Sequence, residues 1–332
     1  MKIAFIMGSY TLSASNGVLS QCFSWKQGLE ALGHEVTLVN TWDPVDWCSF
    51  DVIHVFMYSD YAADYMQALS RKNKHIVFSP ILDPDFSIRS MKIMAHWGCS
   101  KLKLTNRYYK IRAVKNDIAL FLSRSDFESQ YLEQGWGVAK EKIHKVPLSI
   151  SWENVNSNVP RENFCFHVSF LADGRKNVKR LIDAAEKYHF KLKLAGKLRN
   201  DEEKRKIDSW LKGAHFTEYL GFLSKEDLFN NYQKAKVFAL PSTNEGVGLV
   251  ALEAAAMGCD IVLTNIGGPK EYYNGMAELV NPYNIDDIGH SILELLSTKT
   301  MQPKLSQYIK EHYSMPNVSK LLVEGYKKVI ND

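Results

Sequence analysis

The feature that most constrains this chain is an alternation of short apolar runs with helical patterns, which continues from one end to the other. The clearest strand-type runs are Ile3–Met7, Val52–Phe56, Phe164–Phe170 and Val237–Leu240. Segments with helical periodicity lie between them, as at Val178–Tyr188. Strands that alternate with helices predict parallel sheets covered by helices on both faces. We therefore expect an α/β fold whose ligands bind at the carboxyl ends of the strands.

The length and one polar stretch predict two domains. A chain of 332 residues is long enough for two, at roughly 150 residues per domain. Residues 151–163 are polar and lack clear periodicity, and the alternation restarts after them, so we interpret them as a linker. The prediction is two doubly wound, Rossmann-like parallel-sheet domains that face a cleft.

Composition disfavours several classes of protein. The chain is 45% hydrophobic and 23% charged, and no apolar run approaches the roughly 18 residues that suggest a membrane span. The apolar run at the N-terminus is too short for a secretory signal and is typical of a first core strand. The five cysteines are odd in number and form no C-x-x-C pair, which argues against a disulfide framework or a zinc site. A reducing cytosol is the expected compartment.

Positive charge is concentrated in one segment. Eight Lys or Arg residues and no acidic residue lie between Arg89 and Lys115, interleaved with apolar and aromatic residues. Such a segment can lie on an anionic membrane surface, and it can equally be a solvated basic face. We expect no nucleic acid partner, although a phosphate backbone would fit the same charge.

The strongest local pattern is PSTNEGVGLVALEAAAMG at 241–258. An apolar strand ends at Pro241, a polar loop with Gly246 and Gly248 follows, and an apolar helix comes next. Glycines let the backbone approach a ligand, and a helix N-terminus offers amide groups and a positive dipole end. A diphosphate or a sugar hydroxyl would fit there.

Two carboxylates frame this element. Glu245 lies in the loop, and Glu253 lies on a helix of otherwise apolar residues with no Lys or Arg between 241 and 258. A carboxylate in apolar surroundings needs hydrogen-bond donors, and ribose hydroxyls would supply them. The alternative is that Glu253 faces solvent and Glu245 caps the helix.

This segment resembles the donor-site motif of family 4 retaining glycosyltransferases, which have the GT-B fold and carry two glutamates separated by seven residues. The resemblance implies that Glu245 contacts the donor sugar and Glu253 the ribose. It implies that backbone groups of Gly246, Val247, Gly248 and Leu249 bind the sugar and phosphate. Gly196 and Lys197, at the end of LKLAGK, are also placed among the donor-binding residues.

The resemblance covers nearly the whole chain and is looser before residue 150. Other matching segments are GLEALGHEVTLV (28–39), FDVIHV (50–55), KIHKVPLSIS (142–151), GFLSKEDL (221–228), NIGGPKEYY (265–273) and ELVNPYNIDDI (278–288). It implies an acceptor-binding domain at 1–155, a nucleotide-sugar donor domain at 156–315, and a C-terminal helix at 316–332 that packs back on the first domain.

The segment DGRKNVKRLI at 173–182 supplies two cations. Family members place an Arg and a Lys around the donor diphosphate. Lys176 matches the Lys position, whereas the family's Arg lies earlier, where this chain has Ser169–Phe170, so that Arg175 would be its substitute. Two cations would offset the charge of a leaving diphosphate. The alternative is a basic helix start on the surface, which the helix dipole disfavours.

Candidates in the first half are weaker. Asn16 and Gly17 resemble a glycine-rich loop that faces the donor phosphate, although a plain helix cap explains them equally. His54 ends a strand and is a candidate sugar contact or a structural residue. Asp83 and Asp85 have the spacing of a metal-binding D-x-D, but turn chemistry explains them better, and we prefer a role in the acceptor pocket.

The resulting prediction is a retaining, metal-independent transferase with no cofactor. Its donor is a UDP-, GDP- or ADP-sugar, and Glu245, Arg175 and Lys176 are the expected catalytic residues. Its acceptor is a glycan or a lipid-linked molecule in polysaccharide or cell-envelope synthesis, at the inner face of the plasma membrane. Two alternatives are a non-catalytic sugar-nucleotide or glycan-binding subunit and a sugar-nucleotide epimerase of the same fold.

Overall fold

The structure is a computed structural model, and it describes residues 1–7, 17–40, 43–59, 61–150 and 159–331. The chain forms two compact units. The first comprises Met1–Ser149 together with Tyr313–Asp332, and the second comprises Ile150–His312. Within this described part of the chain, every helix is too short or too polar to traverse a bilayer.

The first unit is built on a six-stranded sheet with the order β2-β1-β3-β4-β5-β6 and parallel pairing throughout. Its strands are β1 (Lys2–Met7), β2 (Glu35–Leu38), β3 (Val52–Phe56), β4 (Ile76–Ser79), β5 (Leu120–Ser123) and β6 (Ile143–Lys145). The accompanying helices are α1 (Gly17–Ala31), α2 (Ala62–Ser70), α3 (Ile88–His96), α4 (Arg107–Val114) and α5 (Asp126–Gln130). A π-helix at Tyr131–Trp136 continues α5 and ends at Gly137.

The second unit has a second six-stranded parallel sheet, with the order β12-β11-β10-β7-β8-β9. Its strands are β7 (Glu162–Val168), β8 (Leu192–Ala195), β9 (Thr217–Tyr219), β10 (Ala235–Leu240), β11 (Asp260–Thr264) and β12 (Glu278–Val280). Its helices are α6 (Val178–Tyr188), α7 (Asp201–Leu211), α8 (Lys225–Lys234), α9 (Leu249–Ala256), α10 (Ile285–Ser297) and α11 (Lys304–Tyr313). The chain then ends in α12 (Met315–Asn331). The predicted pair of parallel-sheet folds is confirmed.

Each sheet reverses its winding direction once. In the second sheet the chain runs outward from β7 to β9, then returns to β10 on the other side of β7. The loops that leave β7 and β10 therefore diverge, and such a switch point opens a crevice at the carboxyl ends of the two strands. The fold itself nominates the ends of β7 and β10 as a binding site.

The strands are apolar without interruption because both faces of each sheet are covered. Along β1, Ile3 and Phe5 enter one hydrophobic cluster, while Ala4 and Ile6 enter another on the opposite face. All four residues are almost fully buried. This is the pattern expected of parallel sheets between two helical layers.

Local sequence signals explain several helix starts. The hydroxyl of Ser125 accepts from the backbone N–H of Glu128, which is one half of a capping box. The carboxylate of Glu128 does not complete the box. It accepts instead from the backbone N–H groups of Leu82 and Arg124, at 2.6 and 2.7 Å. The contact with Leu82 is long-range, and it joins the start of α5 to the turn after β4.

Two elements were not predicted as strands. β9 and β12 are three residues long and form the two edges of the second sheet. Such short, partly exposed runs carry too little hydrophobic periodicity to identify a strand. The predicted linker at 151–163 lies largely outside the described residues, and β7 begins at Glu162.

Candidate functional site

The loop after β10 brings the predicted donor motif to the switch point of the second sheet. β10 ends at Leu240, a loop runs from 241 to 248, and α9 begins at Leu249. Gly246, Val247 and Gly248 are buried. No side chain caps the N-terminus of α9, so its first-turn amides and its dipole are directed at the loop.

Glu245 lies in this loop and pairs with Lys176 from the loop after β7. The ammonium of Lys176 lies 2.6 Å from Oε2 of Glu245, and the hydroxyl of Ser242 donates to the same oxygen at 3.2 Å. The side chains of Lys176 and Glu245 are only 20% and 14% exposed. A charge pair so shielded is held more firmly than a surface pair. The structure thus brings together a predicted cation and a predicted carboxylate.

The two loops are also joined through their backbones. The N–H of Thr243 donates to the carbonyl of Arg175 at 2.8 Å. The side-chain amide of Asn177 donates to the carbonyls of Pro241 and Pro282, at 2.9 and 2.6 Å. Asn177 is buried and has a left-handed backbone with φ 58°. It fastens the loop carrying Lys176 to the loop carrying Glu245, and sequence reasoning assigned it no role.

Arg175 occupies a different environment from Lys176. Its guanidinium forms an ion pair with Asp173 at 2.7 Å and is 58% exposed. Burial acts to raise the pKa of Asp173, but the hydrogen bonds and charge of Arg175 outweigh it and hold that pKa below its usual range. The structure therefore places the Arg175 side chain on Asp173, whereas Lys176 contacts Glu245.

Glu253 lies on α9 and is poorly supplied with donors. The nearest donor recorded for its carboxylate within the described residues is the hydroxyl of Tyr232, at 3.5 Å, which is the limit of a hydrogen bond. Burial raises the pKa of Glu253 to about 7, while Tyr232 and the charge of Lys225 only partly counteract it. A ligand that donates hydrogen bonds to this carboxylate would satisfy it.

Close backbone contacts shape the rest of the site. A Cβ on Gly196, at the end of β8, would lie 2.0 Å from the carbonyl oxygen of Ser169, so only glycine permits this approach. The neighbouring Lys197 is exposed. Gly267, after β11, has φ +86°, and a Cβ there would lie 2.5 Å from the carbonyl oxygen of Glu245. Gly267 was missed because its contact with Glu245 joins the loops of two different strands. Ser242, which contacts Glu245 within one loop, was also missed.

A buried histidine lies under the same loops. His167, near the end of β7, uses Nδ1 to donate to the carbonyl of Ala239 at 2.8 Å, and its Nε2 lies 2.7 Å from the hydroxyl of Ser169. Burial lowers the pKa of His167 to about 4, with the charge of Lys176 acting in the same direction. The ring is therefore neutral at pH 7 and braces the ends of β7 and β10.

The first-unit candidates are scattered. Asn16 lies outside the described residues. Gly17 begins α1, and a Cβ there would meet nothing within 4 Å, so the local packing does not require glycine.

Of the two roles that the sequence left open for His54, a sugar contact and a structural role, the structure favours the structural one. His54 is fully buried in β3, where its Nδ1 lies 2.7 Å from the hydroxyl of Tyr326 and its Nε2 lies 2.8 Å from the hydroxyl of Ser79. Its ring stacks on Phe56. A histidine at a strand end can face either layer, and this one faces the layer that contains α12.

Asp83 and Asp85 are exposed in the turn after β4. Asp83 forms an ion pair at 2.7 Å with Arg124, which also binds Glu128 at 2.9 Å. Burial acts to lower the pKa of Arg124, but these two carboxylates raise it above its usual value. The carboxylate of Asp83 is thus paired with the buried guanidinium of Arg124. The described residues contain no group of three or more His, Cys, Asp or Glu side chains arranged to hold a metal ion.

Backbone strain marks the same end of the first sheet. Met57 follows β3 with φ 71°, and Ile81 follows β4 with φ 58°. A left-handed backbone is rare for a bulky or β-branched residue and tends to occur at functional sites. Ile81 adjoins Asp83 in the chain, and Met57 follows the neighbouring strand. No sequence signal indicated either position.

Comparison with known proteins finds a family match in the second unit. Residues 152–312 match the family described as Glycosyl transferases group 1. Over 111 residues the chain is 38% identical to D-inositol 3-phosphate glycosyltransferase from Corynebacterium urealyticum, an alignment that covers 31% of this chain and 26% of that protein. The chain covers between 26% and 45% of the length of the first curated relatives it matches. The resemblance seen at 241–258 is confirmed.

Solved structures match the whole chain. Sucrose-phosphate synthase from Thermosynechococcus elongatus has a TM-score of 0.77 at 16% identity, over 99% of each chain. HepE from Anabaena, solved in complex with UDP and glucose, has a TM-score of 0.73 at 14% identity, over 99% of this chain and 100% of that one. At such low identity the likeness concerns the fold, and it confirms the predicted GT-B class.

Proposed function

We propose that this chain, whose residues 152–312 belong to the group 1 glycosyl transferases, moves a sugar from a nucleotide-diphosphate donor to an acceptor hydroxyl with retention of configuration. One observation carries the proposal. Lys176 and Glu245 meet at 2.6 Å at the switch point of the second sheet, beside the N-terminus of α9. A cation, a carboxylate and helix-end amides together can hold a diphosphate and its sugar.

Lys176 is assigned to the diphosphate. Donor phosphates carry more negative charge than Glu245, so the ammonium turns from the carboxylate to the phosphate oxygens when the donor binds. Asn177 fixes the backbone beside Lys176, and this preorganisation lets the cation stabilise the leaving group without a costly rearrangement. Arg175 contributes a second cation only if its guanidinium leaves the carboxylate of Asp173 and binds the donor phosphate.

Glu245 is assigned to the sugar. Once Lys176 has moved, its carboxylate accepts from sugar hydroxyls and stabilises positive charge that develops at the anomeric carbon. The bond from that carbon to the phosphate oxygen breaks, and its electron pair leaves with the diphosphate. The acceptor oxygen bonds to the same face, and a leaving phosphate oxygen takes the hydroxyl proton. The scheme requires no metal ion.

Glu253 is assigned to the ribose. Its carboxylate has one recorded donor at 3.5 Å and a pKa raised to about 7 by burial, among the described residues of the second unit. Two ribose hydroxyls would satisfy it and favour its ionised form. This requirement fits any nucleoside diphosphate, so UDP-, GDP- and ADP-sugars are all candidate donors.

The first unit is assigned to the acceptor and to a membrane surface. Four large apolar side chains in or beside the basic segment 89–115 are strongly exposed: Ile93 at 67%, Trp97 at 79%, Leu102 at 69% and Leu104 at 66%. Exposed aromatic and aliphatic side chains among lysines are typical of a surface that enters the interface of an anionic bilayer. A lipid-linked acceptor at the inner face of the plasma membrane, in envelope or polysaccharide synthesis, fits this surface.

The first experiment is a thermal-shift panel with UDP-, GDP- and ADP-glucose, followed by an assay of donor turnover. We expect one nucleotide to stabilise the protein, and Glu245→Gln to reduce turnover about 100-fold or more. Glu226→Gln is the matched control, since Glu226 is an exposed glutamate on α8. Equal turnover in the two variants would remove Glu245 from the mechanism.

The same assay separates the alternatives. Stabilisation by a nucleotide sugar with no turnover in wild type would indicate a non-catalytic binding subunit. The ion pair between Arg175 and Asp173 favours this alternative, because it keeps the Arg175 guanidinium from the donor phosphate. Release of an isomerised nucleotide sugar without an acceptor would indicate an epimerase. Free sugar, or sugar joined to an acceptor, supports the transferase.

A further inference from the structure

The first unit contains a basic cavity that the proposed mechanism does not use. The cavity has a volume of about 450 Å³ and lies between α3, α4 and the π-helix Tyr131–Trp136. Five of its lining residues are basic or histidine: Arg89, Lys92, His96, Arg112 and Lys115. Glu133 is the only carboxylate recorded in the same lining. Such an excess of positive charge in a concave site attracts anions.

The helical spacing explains why these cations share one face. Arg89, Lys92 and His96 are three and four residues apart on α3, so they form a single stripe. Met91 and Ala95, on another face of the helix, are fully buried in the core of the unit. The core contact therefore fixes α3 with its basic stripe lining the cavity.

Few carboxylates compensate this charge. In the part of the chain that the structure describes, Arg89, Lys92 and Arg112 form no ion pair with a carboxylate. Crowding is also evident at Lys115, whose pKa is lowered first by burial and then by the charges of Arg112 and Lys142. An anion bound here would relieve this repulsion.

The wall formed by the π-helix supplies a second, independent observation. Trp136 lines the cavity, and its buried indole N–H finds no acceptor among the described residues. A buried donor without a partner is unfavourable, so the protein itself leaves this wall incompletely satisfied. π-Helical turns are rare and occur frequently at functional sites.

We propose that this cavity binds a phosphate-bearing group, with Arg89, Lys92 and Arg112 as its cationic contacts. Arg side chains match phosphate oxygens in geometry as well as charge, and the volume accommodates a diphosphate. The group is either a soluble phosphate compound or the headgroup of a lipid. This inference does not depend on the function proposed for Lys176 and Glu245.

The first arm of the test titrates the full chain with inorganic pyrophosphate, by calorimetry at low ionic strength. The variants are the double substitution Arg89→Gln with Arg112→Gln, and the matched control Lys101→Gln with Lys103→Gln, which removes two charges from the same segment outside the cavity lining. We expect the cavity variant to bind about ten-fold more weakly or worse, and the control to bind as wild type does.

Two further variants keep the result interpretable. Arg89→Lys with Arg112→Lys retains the charge and should retain most of the binding, so a loss in the Gln variant cannot be ascribed to misfolding. Lys176→Gln weakens any pyrophosphate contact at the loops of the second unit and should leave the cavity event in place. The two variants therefore distinguish a loss of pyrophosphate binding at the cavity from a loss at the donor site of the second unit.

The second arm identifies the source of the phosphate. The cavity variants are floated with phosphatidylcholine vesicles that contain or lack phosphatidate. The control in this arm is Lys204→Gln with Arg205→Gln, at two exposed residues of α7, because Lys101 and Lys103 belong to the surface assigned to the membrane. Weaker binding of the cavity variant than of its control to phosphatidate vesicles, reversed by free pyrophosphate in wild type, indicates a lipid headgroup. A difference in calorimetry alone indicates a soluble phosphate. If the cavity variant matches its control in both arms, the proposal is wrong.

Discussion

The ammonium of Lys176 lies 2.6 Å from a carboxylate oxygen of Glu245, although 69 positions separate the two residues in the sequence. Each follows a different strand, and those strands are neighbours at the point where the second sheet reverses direction. The order of strands in the sheet therefore brings the two residues together. Substitutions of Lys176 and Glu245 can be compared with substitutions of exposed charged residues nearby.

Replacing Lys176 by Gln should abolish most donor turnover. The substitution removes the cation assigned to the leaving diphosphate, and loss of such electrostatic stabilisation costs about 100-fold or more in rate. Steady-state donor turnover is the measurement. Lys179→Gln is the control, because Lys179 lies on the exposed face of α6 in an i,i+4 pair with Asp183. Comparable rates for the two variants would contradict the assigned role.

Glu253 should make nucleotide binding depend on pH. Its pKa of about 7 exceeds the usual glutamate value because the carboxylate is buried, and ribose hydroxyls would favour the ionised form. Binding of the preferred nucleoside diphosphate should therefore strengthen from pH 5.5 to 8 and release protons near pH 7. Calorimetry in buffers of different ionisation enthalpy measures both effects, and Glu253→Gln should remove them.

The same residue affects stability with a definite sign. A folded-state pKa above the unfolded value means that the folded protein binds more protons, so the contribution of Glu253 is fully present below about pH 4.5 and is lost as pH rises through about 7. Glu253→Gln should gain unfolding free energy relative to wild type between pH 5 and 8. A constant difference across that range would contradict the raised pKa.

Gly267→Ala should damage the site through Glu245. The added Cβ would lie 2.5 Å from the carbonyl oxygen of Glu245, and φ is +86°. We expect a loss of about 1–3 kcal/mol in unfolding free energy together with a reduced turnover. Gly275→Ala is the control, since its φ is +76° but its Cβ would meet nothing within 4 Å. It should cost about 1–2 kcal/mol and leave turnover unchanged, and equal loss of activity would refute the argument.

Tyr326→Phe should reduce stability without affecting turnover. The variant removes the hydroxyl that lies 2.7 Å from Nδ1 of His54, leaving a buried polar atom unpaired at a cost of about 1–3 kcal/mol. Urea denaturation measures the change. Tyr65→Phe, at an exposed tyrosine, should stay within about 0.5 kcal/mol of wild type. A turnover defect at unchanged stability would restore His54 as a candidate for the site.

The exposed apolar surface predicts membrane binding that depends on Trp97. Trp97→Ser should weaken sedimentation with anionic vesicles about ten-fold, because an inserted tryptophan buries a large apolar area. Phe222→Ser, at a side chain 75% exposed in the second unit, should have no effect. Charge reversal at Lys101, Lys103 and Arg107 should also weaken binding. If vesicle binding is unchanged by Trp97→Ser and by the charge reversal, this surface contacts something other than a membrane.

The sequence was sufficient for the fold because hydrophobic periodicity and strand–helix alternation recur along the whole chain. It also nominated Lys176 and Glu245, because the segments that contain them resemble the phosphate-binding loop and the donor-site motif of family 4 glycosyltransferases. It could not predict that they pair with each other, because the order of strands in a sheet is settled by packing between distant segments.

Other features of the site were beyond the sequence for different reasons. A strand-end histidine has the same pattern whichever layer it faces, so the sequence left His54 open between a sugar contact and a structural role. The role of Asn177 depends on two carbonyls far along the chain, and that of Gly267 depends on a backbone contact across the sheet. The strain at Ile81 leaves no trace in composition or spacing.

The hydrogen bond from Asn177 to the carbonyl of Pro282 has a consequence for the nascent chain during synthesis. One of the two carbonyls that receive its side-chain amide belongs to the segment just after β12, the last strand of the second sheet to be synthesised. Until the ribosome has synthesised that segment, the Asn177 side-chain amide beside Lys176 can donate to the carbonyl of Pro241 but not to that of Pro282. Nascent polypeptides halted before Pro282 should therefore have no competence for nucleotide capture, even though both charged partners are already present.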